Sequence, residues 1–270
     1  MRWQKLCILV AAISFLGGCT VNPSTGRLQL NMYSEAEVSA MGEQAVPDVI
    51  AEFGGEVPSQ ELRAYVRGIG TRLAEHVEPE YRDIEWEFFA LNSDVINAFA
   101  LPGGKIFITR GLLQRFENEA QVAGVLGHEI GHVTARHSNE RLSQAALAQG
   151  LVGELSRAAD SELVGLGASV LAQGVMLKYS RNHENEADMQ GLKYMTAAGY
   201  DPLAMRQVLE ILEESASGGR MPEFLSTHPY PQSRIERIDD MLSGPYQYTR
   251  GNPDYGQYRG RFQREAAPYL

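Results

Sequence analysis

The sequence predicts a single α+β domain, mainly helical, with a small antiparallel or mixed sheet that carries an edge strand. Three observations lead there. Apolar residues recur at helical spacing over long stretches, as at Leu62, Val66, Ile69 and Leu73. Strand-like segments are confined to residues 84–109. No internal repeat and no linker divides the chain. With 270 residues, 44% hydrophobic and 21% charged, it has enough apolar material for a real core.

In chain order, Arg2 and Lys5 precede an apolar run, Leu6–Leu16, interrupted only by Ser14 and followed by Gly17, Gly18 and Cys19. A basic start, a short apolar stretch and a small-residue cleavage site predict a secretory signal over 1–18. The run is too short to span a bilayer, which takes about 20 apolar residues. Leu16-Gly17-Gly18-Cys19 also resembles a bacterial lipobox. That resemblance implies that Cys19 is lipidated and that Thr20 favours sorting to the outer membrane, facing the periplasm. Lipid chains anchor without spanning. The polar stretch after Cys19, to residue 33, reads as a tether.

Ser34 with Glu37 forms a capping box that opens a helix to about Phe53. Ser59 starts a second, to about Val77. Ile84–Leu91 suits a strand, and Asn97–Leu101, Pro102-Gly103-Gly104 and Lys105–Thr109 read as a hairpin or kinked edge strand. Asn118 caps a long apolar helix. Residues 139–178 look helical in two pieces. Arg181–Ala198, 203–215 and Pro231–Leu242 complete the helices of a domain spanning 34–243. The tail, 244–270, is rich in Tyr and Arg and has little periodicity, so it either wraps the domain or stays loose.

Charge and cysteine usage exclude several function classes. Acidic residues outnumber basic ones 34 to 24, and no dense Lys/Arg run is present, which argues against nucleic acid as a partner. Two cysteines cannot build a disulfide framework or a four-thiolate metal site. Loss of Cys7 with the signal and acylation of Cys19 would leave no free thiol.

The chemistry concentrates at His128-Glu129-Ile130-Gly131-His132. Positions i and i+4 share a helix face, so both imidazoles reach one Zn²⁺ at about 2.0–2.1 Å. Glu129, beside the first ligand, can aim at water on the metal. This composition produces such a motif by accident roughly 1% of the time. Gly124, Gly127 and Gly131 let a neighbour pack closely on the same helix.

A catalytic zinc takes three protein ligands and an open position. Candidates for the third are His137, His183, Glu184, Glu186 and His228. The metzincin extension fails at Ala135 and Ser138. His137 is out of register and is expected to hydrogen-bond at the helix end. On a helix, Glu184, Asp188, Gly191 and Met195 share one side, while Glu186, Gln190, Lys193 and Ala197 share another that looks solvated. Glu184 is therefore favoured. Asp188, one turn on, can accept a hydrogen bond from a zinc-bound imidazole.

These residues, with Glu184-Asn185-Glu186-Ala187-Asp188 and Ser226-Thr227-His228-Pro229 followed by Arg234, resemble the HtpX- and BepA-like zinc metallopeptidases. This is family forty-eight of the metallopeptidases, which also includes the CAAX prenyl proteases, and the resemblance spans roughly 35–242. It implies a zincin-like fold, one Zn²⁺ per chain held by His128, His132 and Glu184, and Asp188 as a supporting residue sometimes assigned as proton donor. It also implies roles near the metal for His228 and Arg234. Unlike BepA-like members the chain shows no helical-repeat domain, and unlike HtpX-like members no transmembrane helices; it is similar to a stand-alone, lipid-anchored module.

The implied reaction is hydrolysis of peptide bonds, with Glu129 as general base and His228 or Arg234 stabilising the oxyanion. In a rival role, His228 is a fourth ligand that silences the site. The substrate rail is expected at Asn97, Ala98, Phe99, Gly103 and Gly104, where an edge strand would bind an extended peptide. A plain structural hairpin is the other reading of that segment. From the resemblance alone, substrates would be misfolded or misassembled envelope proteins. The alternative is an assembly factor or chaperone that binds extended clients and cleaves rarely.

Overall fold

The structure, a computed structural model, describes residues 19–158, 178–217 and 221–270. The expected signal, 1–18, and residues 159–177 of the expected helical stretch lie outside the described residues.

The first helix, α1 (Glu35–Glu52), begins at the Ser34 capping box, with Ser34 Oγ accepting from Glu37 N and Glu37 accepting from Ser34 N. Ser59 caps α2 (Gln60–Ala74), whose Leu62, Val66, Ile69 and Leu73 are all buried. Strands β3 (Glu87–Leu91), β4 (Ala98–Leu101) and β5 (Lys105–Thr109) form a mixed sheet in the order β3-β5-β4. The β4–β5 pair is the expected antiparallel hairpin, and β3 runs parallel to β5. Among the described residues β4 stands at one edge.

Alternation sets the two faces of this sheet. Phe88, Ala90, Ala98, Ala100, Ile106 and Ile108 face the main core, with α2 and the apolar helix α4 (Glu119–Thr134). Leu91, Phe99, Leu101 and Phe107 face α1 through Val46, Val49 and Phe53. A short α3 (Arg110–Leu113) leads from the sheet to α4. Asn118 caps α4 as the sequence predicts, its Oδ1 accepting from Gln121 N at 3.1 Å.

Beyond α4 come α5 (His137–Ala158), α6 (Arg181–Ala197), α7 (Leu203–Ser217), α8 (Glu223–Thr227), α9 (Pro231–Ser243) and α10 (Arg259–Glu265). The packing of α6 on α4 depends on glycine. A Cβ on Gly131 would stand 2.7 Å from Ala187 O, and one on Gly191 2.9 Å from His128 N. Only hydrogen atoms let the two backbones come this close.

Both ends of the described residues fold onto the domain. The segment expected as a tether forms an antiparallel hairpin of β1 (Cys19–Val21) and β2 (Leu28–Leu30), docked on the C-terminal end of α4. The tail is not a separate unit. Phe262 and Ala266 are in the main core, and Arg261 pairs with the buried Glu119 at the start of α4 at 2.6 Å. Among the described residues, no helix is long and apolar enough to cross a membrane.

Candidate metal centre

Helix α4 presents His128 and His132 one turn apart, α6 brings Glu184, and the turn after α8 brings His228; all four are buried. His132 Nε2 lies 3.0 Å from His128 Nε2 and 3.5 Å from a Glu184 oxygen. His228 Nδ1 lies 3.3 Å from His128 Nε2 and 3.2 Å from Glu184 Oε1. His128 Nε2 is 3.7 Å from the other Glu184 oxygen. Ligands at about 2.0–2.1 Å on a tetrahedral zinc stand about 3.3–3.4 Å apart along each edge. The measured separations scatter around that edge length, so the donor set suits one small divalent ion.

Glu129 follows His128 on α4 and is fully buried, and neither of its oxygens has a hydrogen-bond partner among the described residues. Its Oε1 faces His228 Nε2 at 3.7 Å. Burial pushes its carboxyl up to about 7, against the pull of His128. An orphaned carboxylate beside the donor set is the arrangement a base aimed at a water would require.

Each ligand is held from behind. His128 Nδ1 meets Asp188 Oδ1 at 2.9 Å, and Arg234 grips Asp188 with two bonds of 2.7 and 2.6 Å. A third guanidinium nitrogen, Nη1, pairs with Glu184 at 2.6 Å. Burial works against the Asp188 charge, but Arg234 and the His128 N–H outweigh it and hold the carboxyl below its ordinary value. Burial works against Glu184 too, yet Arg234 and His228 hold it well below the ordinary range. Asp188 is thus an ionised acceptor, which fixes the His128 Nδ1–H tautomer and leaves Nε2 free to ligate. Arg234, expected with His228 as a candidate oxyanion donor, pairs here with both Glu184 and Asp188.

On the other side His132 Nδ1 meets His137 Nδ1 at 2.9 Å, and His137 Nε2 meets Glu186 Oε2 at 3.0 Å. His137 therefore bonds the second ligand of the motif rather than the helix end. Glu186, expected on a solvated face, is largely covered and paired with Arg27 at 2.8 Å. Gln190, on the same face, is buried and donates to Ser24 O at 2.8 Å. The correction has one cause: the N-terminal hairpin lies over that side of α6. Two aromatic residues that the sequence reading missed also pack here. The Tyr179 ring lies 3.8 Å from His132 between centroids, and Phe224 stacks on His228 at 4.3 Å. Phe224, four residues before His228 on one helical turn, had a local signal; Tyr179 had none.

The expected substrate rail contributes no atom to this donor set, but it adjoins α8, where Phe224 N donates to Ile96 O at 3.2 Å. Asn97 is buried, its amide donating to Glu223 at 3.2 Å. Ala98 faces the main core, and Phe99 packs its ring on Phe53 and Phe107 beneath the sheet, so a peptide could use only backbone here. A Cβ on Gly103 would strike Ser39 of α1, and one on Gly104 would strike Ile84. Their conformation, φ near +80°, serves the β4–β5 turn.

Comparison with protein-family models matches residues 60–242 to Peptidase family M48. The beta-barrel assembly-enhancing protease of Escherichia coli K12 is 36% identical over 185 residues, 64% of this chain and 37% of that protein. The mitochondrial metalloendopeptidase OMA1 of Schizosaccharomyces pombe is 33% identical over 225 residues, 82% of this chain and 65% of that one. OMA1 of Arabidopsis thaliana is 37% identical over 155 residues, 57% of this chain and 31% of that protein. The chain thus spans from about a third to about two thirds of the length of these relatives. Every candidate ligand and its supporting carboxylates fall inside the matched span, and the chain belongs to Peptidase family M48.

Proposed function

We propose that this chain is a zinc endopeptidase of the bacterial envelope, anchored at the outer membrane through lipidated Cys19 and facing the periplasm. Its substrates are misfolded or misassembled envelope proteins. The observation that carries the reading is the tetrahedral spacing of His128, His132, Glu184 and His228 beside the orphaned Glu129. Imidazole and carboxylate donors suit zinc. A bound zinc supplies Lewis acidity and an acidified water. Glu129 would be the base for an attacking water and the carrier of its proton to the leaving amine. Asp188 and Arg234 keep the ligands in register. The free edge of β4 remains the surface on which an extended peptide would align through its backbone.

His228 supports a second element of the proposal. Its Nδ1, within 3.3 Å of His128 Nε2 and 3.2 Å of Glu184 Oε1, would take the fourth position on a bound ion, the one a water needs. It sits between α8 and Tyr230, a non-glycine residue held at φ 70°. The resting enzyme is therefore gated by its own histidine. The name of the Escherichia coli relative, assembly-enhancing protease, supports the alternative of an assembly factor that binds clients and seldom cuts.

The test is metal content and casein cleavage by the full chain in detergent, beside Glu129→Gln and His228→Ala. One zinc per chain, loss of cleavage of at least about 100-fold in Glu129→Gln, and faster cleavage by His228→Ala are expected. Rescue of a deletion strain by Glu129→Gln would move the function to client binding. A dead His228→Ala would place that histidine among the catalytic groups.

A further inference from the structure

Asp188, Arg234, His137 and Glu186, which support the candidate ligands, come from inside the family-matched span, but one support does not. Arg27 lies in the turn of the N-terminal hairpin, ahead of residues 60–242. Its Nε pairs with Glu186 Oε1 at 2.8 Å, and its Nη1 and Nη2 grip Glu140 at 3.0 and 2.5 Å. Glu186 in turn holds His137, and His137 holds His132. Four side chains from four segments thus run in a line from the surface to the donor set. The hydrogen count along the line is determined. Glu186 is acceptor only, so His137 carries its proton on Nε2 and accepts on Nδ1. His132 must then carry its proton on Nδ1, which turns the Nε2 lone pair to the cluster.

The hairpin is built to hold Arg27 there. Asn22 Oδ1 accepts from Ser24 N and Thr25 N at 2.8 and 3.0 Å, closing the turn, and Gly26 supplies φ +68°. Asn22 and Gln29 are buried, and their amides donate to Thr134 O and Ala135 O at 3.0 and 2.7 Å. These carbonyls end the helix that bears both histidines, and nothing within α4 can satisfy them.

We infer that Arg27 is a positioning residue for the metal site, acting through Glu186 and His137 to fix the orientation and tautomer of His132. The N-terminal hairpin is accordingly an integral part of the metal centre. This rests on the reading of His128, His132 and Glu184 as metal ligands. The coupling also runs in reverse: whatever pulls the hairpin off α4 loosens the metal.

The experiment uses the full chain in detergent and compares the parent with Arg27→Ala, Arg27→Lys, His137→Phe and His132→Ala. Zinc affinity is read by competition with a chelator, and the His132 tautomer by nitrogen-15 NMR of the metal-free protein. His137→Phe should weaken zinc by about 10-fold or more and mix the His132 tautomers, because the acceptor is gone. Arg27→Ala should do the same to a smaller extent, and Arg27→Lys should recover part of it, since an ammonium can pair with one carboxylate but cannot fork across two. A hairpin with only a structural role would change the denaturation midpoint and leave affinity and tautomer as in the parent; that result overturns the inference. If the parent and His132→Ala bind zinc equally, the ligand assignment itself falls, and the inference with it.

Discussion

The two histidines of the motif stand one helical turn apart and are supported in different ways. Behind His128 the line is short: Asp188, then Arg234, all fully buried and contributed by α6 and α9 of the central domain. Behind His132 it is longer: His137, Glu186 and Arg27, ending on a guanidinium that is about a third exposed, in a hairpin at the chain's start. Both lines fix an Nδ1–H tautomer and end on arginine. They differ in dielectric. Charges sealed from water interact strongly and are costly to leave unpaired, whereas those near the surface are screened. The first line is thus a fixture of the fold, and the second is open to adjustment from outside.

The largest expected effect tests that contrast directly. Asp188→Ala leaves Arg234 buried with one carboxylate fewer, and should cost about 3–5 kcal/mol in chemical denaturation of the metal-free protein. Glu186→Ala should cost less, about 1–3 kcal/mol, because Arg27 can turn to water and only the buried His137 Nε2–H loses its acceptor. Equal losses in the two variants would erase the distinction. Next, Gly131→Ala drives a methyl into Ala187 O and should cost about 1–3 kcal/mol, separating α4 from α6 and so weakening zinc through both lines at once.

The smallest effect concerns pH. Burial works against the Glu140 charge, yet hydrogen bonds from His183 and Arg27 outweigh it and hold the carboxyl at about 2, against an ordinary 4.5. A depressed acid contributes stability that is present above the unfolded value and is lost as pH falls toward the folded one. The Arg27–Glu140 contact should therefore be intact above about pH 5 and weaken between pH 4.5 and 2. Pulse-labelled hydrogen exchange of the hairpin amides should show it opening over that range before α4 does. Simultaneous opening would mean that the hairpin is no looser than the core.

Much of this was legible in the chain. Caps at Ser34, Ser59 and Asn118 set three helix starts, because capping is a bond between residues two or three apart. Helical periodicity put His128 with His132, and Glu184 with Asp188, on common faces. It misjudged Glu186 and Gln190, since their face is polar and what covers it is another polar segment. A hydrophobic pattern reports burial against apolar neighbours and is silent about burial under a hydrogen-bonded hairpin. The N-terminal segment read as a tether for the same reason: its Asn22, Arg27 and Gln29 are polar, but each is matched to a partner more than a hundred residues away.

What the sequence by itself determined is the chemistry on offer and its local spacing: two imidazoles and a carboxylate base on one helix, a second carboxylate pair on another, and the glycines that let those helices meet. Only the tertiary structure decided which nitrogen of each histidine faces the donor set, that His228 joins it, and that Arg27 stands behind His132. Local order follows from bonds along one element, which a sequence displays. A ligand's outer partners come from separate elements, and their distances exist only once the chain has closed its loops and buried its core.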